Sequence, residues 1–74
     1  MAETLVLNLR LRSGCDVPAY ESRYGPGALD RFSPALASHV AGGRVDRTDR
    51  LVRLTDRGLL VANSVWADIY AAPA

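Results

Sequence analysis

Apolar and polar residues alternate near the start of the chain, where leucine occupies every second position between residues 5 and 11. This period of two is typical of a half-buried strand. Leucine and arginine are nevertheless good helix formers, and a helix would place Leu5, Val6 and Leu9 on one face. The pattern by itself leaves both a strand and a helix open for residues 3–12.

A helix is predicted over residues 16–24. Asp16 is a good N-cap, because its carboxylate can accept hydrogen bonds from the free N–H groups of the next turn. Pro18 would fall in that first turn, where the missing N–H of proline costs little. The helix is expected to end at Gly25, since glycine readily adopts the left-handed conformation that often follows a helix.

The next helical pattern covers residues 28–41, and the dipeptide Ser33-Pro34 interrupts it. Proline disfavours the helical region at the residue before it, and the same dipeptide also suits an N-cap followed by the first helical position. We therefore expect a short turn before Ser33 and a proper helix over 34–41. The apolar positions of the stretch are Leu29, Phe32, Leu36 and Val40.

A β-hairpin and a last helix complete the predicted elements. Residues 44–54 hold two short apolar runs around a turn-like Asp-Arg-Thr-Asp segment. Thr55 is expected to cap the last helix with its hydroxyl group, and residues 71–74 are expected to fray. The predicted apolar stripe of this helix consists of Leu59, Ala62, Trp66, Ile69 and Tyr70.

These elements predict a mainly α fold with a small β-hairpin, in the order helix, helix, helix, hairpin, helix. That order is winged-helix-like. The sequence shows no internal repeat and no interdomain linker, so residues 1–74 are assigned to one small domain.

Composition narrows the choice of partners. The formal net charge is +1 and all nine basic residues are arginine, so electrostatics alone indicates neither a nucleic-acid nor a membrane partner. The apolar runs are far shorter than the ~20 residues of a membrane-spanning helix. Cys15 is the only cysteine, which excludes an intramolecular disulfide and agrees with a reducing, cytoplasmic location.

Two residues are candidates for chemistry. Cys15 precedes a predicted helix N-terminus, which can lower the pKa of a thiol, but no histidine lies near it in sequence to act as a base. His39 could be a single axial ligand of heme or a metal, but no second patterned ligand accompanies it. We interpret both as structural residues, assign no catalytic, cofactor-binding or metal-ligating residue, and do not expect the chain alone to be an enzyme.

The arginine-rich hairpin raises the possibility of DNA binding. Residues 44–57 carry five arginines and three aspartates, a local charge of 5 − 3 = +2, and a basic wing can grip phosphates. The aspartates would repel phosphates and pair with the arginines instead. Residues 34–41 contain no Arg or Lys for reading bases, so DNA is not the expected partner.

Five residues are candidates for structural or interface roles: Arg10, Thr55, Gly58, Asn63 and Trp66. Arg10 is expected to reach outward or to a carboxylate, and Gly58 to allow tight packing. The amide of Asn63 is expected to be buried and to fix how the last helix docks. Trp66 is expected to belong to the core.

Several of these residues belong to a pattern with a known counterpart. The pattern begins with a Glu at the start of an apolar helix, followed by a spacer that contains Gly and by a helix that ends in Tyr-Gly. It closes with Arg-Leu, Leu-Thr, Gly, Asn and Val, in that order. Here it consists of Glu3, Leu7, Leu9, Arg10, Leu11, Gly14, Tyr24, Gly25, Arg50, Leu51, Leu54, Thr55, Gly58, Asn63 and Val65. The pattern resembles the C-terminal domain of the oxygen-independent coproporphyrinogen III oxidase and heme chaperone family. Asn8 and the Gly42–Val45 segment depart from it.

The resemblance implies a helix at residues 3–12 and a role in heme biosynthesis or heme trafficking. It implies that this chain is the non-catalytic C-terminal accessory domain of a larger radical S-adenosylmethionine oxidoreductase or heme chaperone. The implied 4Fe-4S cluster and S-adenosylmethionine belong to the parent protein, not to this chain.

The resemblance also implies the partners. The accessory domain would pack on the catalytic barrel of the parent and help shape the tetrapyrrole cleft, with a tetrapyrrole at the interface and no membrane partner. In isolation, the uncovered surface of the first helix could drive self-association. The alternative function is a stand-alone winged-helix module that binds DNA or protein.

Overall fold

The N-terminal segment forms a helix, α1, over Ala2–Leu9. The computed structural model describes residues 1–72. Leu5, Val6 and Leu9 are the buried residues of α1, which are the three that helical spacing places together. Leu7 and Leu11 are exposed, so the alternation of leucines does not reflect a strand. The helix implied by the resemblance is confirmed, but it ends at Leu9, three residues before the predicted end at residue 12.

The second helix, α2, covers Val17–Tyr24. Its N-cap is Asp16, whose carboxylate accepts a hydrogen bond from the backbone N–H of Ala19 at 3.1 Å. Gly25 ends the helix with φ = 106°, a conformation that glycine adopts without a side-chain penalty. The predicted cap and end are therefore confirmed.

The third helical region is split as predicted. A 3₁₀ turn covers Asp30–Phe32 and helix α3 covers Ser33–Ala41. Ser33 is not the N-cap, however. It is the first helical residue, and its hydroxyl accepts a hydrogen bond from the guanidinium of Arg47 at 3.0 Å.

The face that α3 buries is not quite the expected one. Leu36 and His39 are its buried residues, whereas Val40 is 39% exposed. The helix packs against the last helix of the chain, and that contact turns His39 inward because its ring finds a polar partner there. The prediction that Val40 belongs to the apolar face is wrong.

The sheet contains the predicted hairpin and one further strand. Strands β2, Val45–Arg47, and β3, Leu51–Leu54, pair antiparallel. A two-residue strand β1, Cys15–Asp16, pairs antiparallel with the other edge of β3. Gly14, at φ = 75°, permits this approach, because a Cβ there would meet the Val52 carbonyl oxygen and the Arg53 side chain.

The last predicted helix is in fact two helices, α4 over Asp56–Leu60 and α5 over Ala62–Tyr70. Thr55 caps α4 by accepting from the N–H of Gly58 at 3.0 Å. The break lies at Val61, whose N–H bonds to the Gly58 carbonyl three residues back. Its backbone (φ = −127°, ψ = 30°) is not helical.

The break changes which side chains reach the core. Val65 and Ile69 are the buried residues of α5, and Trp66 only packs partly buried against them. Leu59 and Tyr70 are exposed. The predicted apolar stripe is therefore wrong at both of its ends.

One hydrophobic core joins the helices to the sheet. Helix α5 contacts both α1 and α3, while the strands cover the remaining side. The core contains Leu5, Val6, Leu9, Cys15, Val17, Tyr20, Leu29, Phe32, Leu36, Val45, Val52, Val65 and Ile69. The mainly helical fold with a small antiparallel sheet is confirmed, while the winged-helix likeness stays a prediction.

The C-terminal end of α5 remains hydrogen-bonded, since the N–H groups of Ala71 and Ala72 bond to the carbonyls of Ala67 and Ile69. The predicted fraying at 73–74 lies outside the described residues. Within residues 1–72, no helix is both long and apolar enough to cross a membrane.

Candidate functional site

His39 lies at the centre of a buried polar cluster. Its side chain comes from α3 and is only 3% exposed. The Nδ1 atom accepts a hydrogen bond from Nε of Arg44 at 2.8 Å, because a guanidinium can only donate. The proton of the neutral ring is therefore on Nε2, which donates to the carboxylate of Asp68 on α5 at 2.7 Å.

This cluster joins α3 to α5 and acts as a structural clamp. Both ring nitrogens of His39 are engaged within the domain, so the ring has no free lone pair for a metal or a substrate proton. Among residues 1–72, no group of His, Cys, Asp or Glu is arranged to hold a metal ion.

Arg44 extends the clamp to the sheet and to α4. Its guanidinium also donates to the Ser38 carbonyl at 3.1 Å, and its own carbonyl accepts from the N–H of Thr55 at 3.0 Å. Gly58 lies against that same carbonyl, where a Cβ atom would overlap it. The first turn of α4 is therefore fixed to the start of β2 by close backbone contact.

Cys15 is not placed for reactivity. The residue is fully buried in β1, and burial raises the pKa of its thiol. Its Sγ atom lies 3.8 Å from the side-chain nitrogen of Asn8. A raised thiol pKa reduces the thiolate fraction at neutral pH, so the residue behaves as a small core side chain.

The more promising surface is a groove between the end of α1 and the start of α4, here named the α1–α4 groove. It has a volume of about 390 Å³ and is open to solvent. It is lined by Leu9, Arg10, Leu11, Arg12, Asp46, Arg53, Leu54, Thr55, Asp56 and Leu59. The strand ends that carry Asp46 and Arg53 form its third side.

Exposed leucines mark this groove. Leu11 and Leu59 line it and are each 58% exposed. Leu7 and Leu60 are also exposed, at 60% and 87%, but they do not line the groove. A single exposed leucine needs no explanation, but two that face one groove are typical of an interaction surface.

The groove has an uneven charge pattern. Asp46 and Arg53 pair across the hairpin with an N–O distance of 3.7 Å. Among residues 1–72, neither Arg10 nor Arg12 has a carboxylate within salt-bridge distance. The end of α1 therefore presents two guanidinium groups that the domain itself does not neutralise.

The structural candidates from the sequence fall in different places. The guanidinium carbon of Arg10 lies over the ring of Trp66, 5.9 Å from its centroid, and Thr55 lines the groove. Asn63 is exposed, so the prediction of a buried amide that docks the last helix is wrong. Its helix starts after the break at Val61, and this rotates Asn63 away from the core.

Sequence reasoning missed Asp68 and Arg12. Asp68 lies on α5, 29 residues after its partner His39, and no local pattern connects them. Arg12 adjoins the resemblance pattern without belonging to it. One feature of the sequence pointed to the groove. Helical spacing assigns Leu5 and Leu9 to the core, so the other leucines of the series, Leu7 and Leu11, are left for the surface.

Comparisons with known proteins identify the family. Neither the curated proteins nor the solved structures provide a match. A family model described as the HemN C-terminal domain matches residues 1–61, a range that includes every residue lining the α1–α4 groove. The match covers most of the 74 residues, and the chain therefore belongs to the HemN C-terminal domain family.

Proposed function

We propose that this chain acts as the accessory domain of a HemN-like protein and that the α1–α4 groove packs on the catalytic domain of that protein. The observation that carries the proposal is a pair of exposed leucines that line the groove, Leu11 and Leu59, each 58% exposed. Burying such side chains would stabilise an interface by roughly 1.5–3 kcal/mol each.

The proposal leaves catalysis to the parent protein, in the context of coproporphyrinogen oxidation or heme handling. A 4Fe-4S cluster is held by several thiolates, whereas this chain offers Cys15 alone, fully buried. The residues present therefore do not fit the cluster, and the proposal assigns cluster and S-adenosylmethionine to the catalytic domain. The accessory domain contributes a wall beside the tetrapyrrole cleft.

Duplex DNA is a less suitable partner. Of the exposed side chains of α3, Pro34, Ala37 and Val40 offer no hydrogen bonds for reading bases, and the hydroxyl of Ser38 donates to the Ala35 carbonyl at 3.2 Å. In the hairpin, Arg53 pairs with Asp46 and Arg47 bonds to Ser33. These contacts engage two of the hairpin's arginines within the domain, which makes a phosphate-binding wing less suitable.

A binding titration between this chain and the separately produced catalytic domain of a HemN-like parent tests the proposal. Leu11→Asn and Leu59→Asn should each weaken the association at least about tenfold, since each places a polar amide where the interface buries an apolar side chain. Val40→Asn is the matched control on α3, away from the groove, and should change little.

Circular dichroism of each variant would separate loss of binding from loss of fold. An association that both groove variants leave unchanged, or that only Val40→Asn weakens, would place the interface elsewhere and overturn the proposal. No measurable association between the wild-type chain and the catalytic domain would overturn it as well.

A further inference from the structure

We infer that the α1–α4 groove accepts an acidic amphipathic segment, one whose carboxylates bind Arg10 and Arg12 and whose apolar side chains cover Leu11 and Leu59. The inference rests on the proposed docking of this groove and names the chemistry of the segment that occupies it. It is carried by two arginines without acidic partners on the wall of an apolar groove.

Arg10 is held in place but not neutralised. Its guanidinium carbon lies 5.9 Å from the centroid of the Trp66 ring, a cation–π contact that orients the guanidinium and leaves its charge intact. Arg12, two residues later, is exposed and lines the same groove. No carboxylate of residues 1–72 comes within salt-bridge distance of either one.

Neither acidic residue of the groove pairs with Arg10 or Arg12. Asp46 pairs with Arg53 at 3.7 Å, and Asp56 lies in the first turn of α4, where the positive end of the helix favours a negative charge. Arg10 and Arg12 therefore remain available to bind anionic groups of a partner. A guanidinium binds a carboxylate through two parallel N–H bonds, which adds geometric selectivity.

The apolar part of the groove determines what carries those carboxylates. Leu9 and Leu54 lie on its floor, while Leu11 and Leu59 remain exposed. A helix or strand that has leucines along one side and Glu or Asp beside them would cover the exposed leucines and supply carboxylates to the arginines. A phosphate backbone would supply the negative charge without covering the leucines.

A second copy of this chain is a poor occupant. A two-fold dimer places the same patch of each subunit against itself, which would bring Arg10 and Arg12 of one copy towards those of the other. Like charges across an interface disfavour association. Complementarity of charge therefore indicates a different, acidic segment.

Two synthetic helical peptides of about fourteen residues, four turns long, provide the probe. Both carry the same leucines at helical spacing; one has Glu at the flanking positions and the other has Lys. Each carries a fluorescent label, and anisotropy reports its binding to the wild-type chain. The Glu peptide should bind, the Lys peptide should not, and binding should weaken as salt rises from about 50 to 300 mM.

Arg10→Glu and Arg12→Glu should each reduce affinity for the Glu peptide at least about tenfold. Arg23→Glu on α2 makes the same charge change outside the groove and is the matched control. Equal binding of the two peptides, no binding of the Glu peptide, or an equal effect of Arg23→Glu would overturn the inference.

The two proposals fail separately in this design. If the Glu peptide does not bind, but Leu11→Asn and Leu59→Asn still weaken association with the catalytic domain, the groove docks without charge selection. If those leucine variants also have no effect, the proposed docking falls together with the inference.

Discussion

The ring of His39 donates from Nε2 to the carboxylate of Asp68 across 2.7 Å, and this bond joins α3 to α5. Arg44 holds the opposite ring nitrogen at 2.8 Å. Both ring nitrogens of the buried His39 therefore make hydrogen bonds within the chain, and neither is free to ligate heme or a metal.

Asp68→Ala should destabilise the domain by about 1–3 kcal/mol, because it leaves the buried Nε2–H of His39 without its acceptor. Asp68→Asn keeps an oxygen acceptor and should cost less. Asp49→Ala, in the exposed hairpin turn, is the control. Urea unfolding measures all three, and equal stability of Asp68→Ala and wild type would show that the clamp does not contribute.

Ile69→Ala should cost about 2–5 kcal/mol, because it opens a cavity in the core beneath α1 and α3. Its neighbour Tyr70 is 54% exposed, so Tyr70→Ala should change stability by less than about 0.5 kcal/mol. Thermal and urea unfolding of the pair give the ordering. The reverse ordering would mean that the helix continues through Val61 and turns a different face to the core.

The stability of the domain should fall in alkaline solution. Burial, with smaller effects from Tyr24 and Cys15, raises the pKa of Tyr20 from 10.0 to about 12. The folded chain keeps that phenol proton at pH values where the unfolded chain loses it. The stabilisation is therefore complete below pH 10 and is lost as the pH rises towards about 12.

Tyr20→Phe tests the origin of this dependence. The variant loses the hydrogen bond from the hydroxyl to the Met1 carbonyl, so it should be less stable at neutral pH, but its free energy of unfolding should fall less steeply above pH 10. Tyr70→Phe is the exposed control and should keep the wild-type slope. An unchanged slope in Tyr20→Phe would assign the alkaline loss to another group.

Local signals in the sequence predicted the elements that local chemistry decides. Asp16 capped α2, Gly25 ended it, and Ser33-Pro34 marked the division of the third helix, because caps and breaks depend on residues a few positions apart. Helical spacing also identified Leu5 and Leu9 as core residues. The leucines of α1 and α4 that the core does not bury indicate an interaction surface.

Contacts between distant segments decided what the sequence could not predict. The last helix breaks at Val61, which is neither glycine nor proline, and Gly58 in the preceding helix lies against the backbone of Arg44 from a distant segment. Strand β1 is two residues long and exists only through its pairing with β3. A new helix begins after the break and carries Asn63 on its exposed side, so the predicted burial of Asn63 was wrong.

Hydrogen exchange of the chain, free and mixed with the catalytic domain of a HemN-like parent, tests the proposed docking most directly. The account predicts slower exchange for amides at residues 10–12 and in Asp56–Leu60, the two walls of the α1–α4 groove. Amides of α3 should exchange as in the free chain. Protection confined to α3, with both groove walls unchanged, would contradict the account.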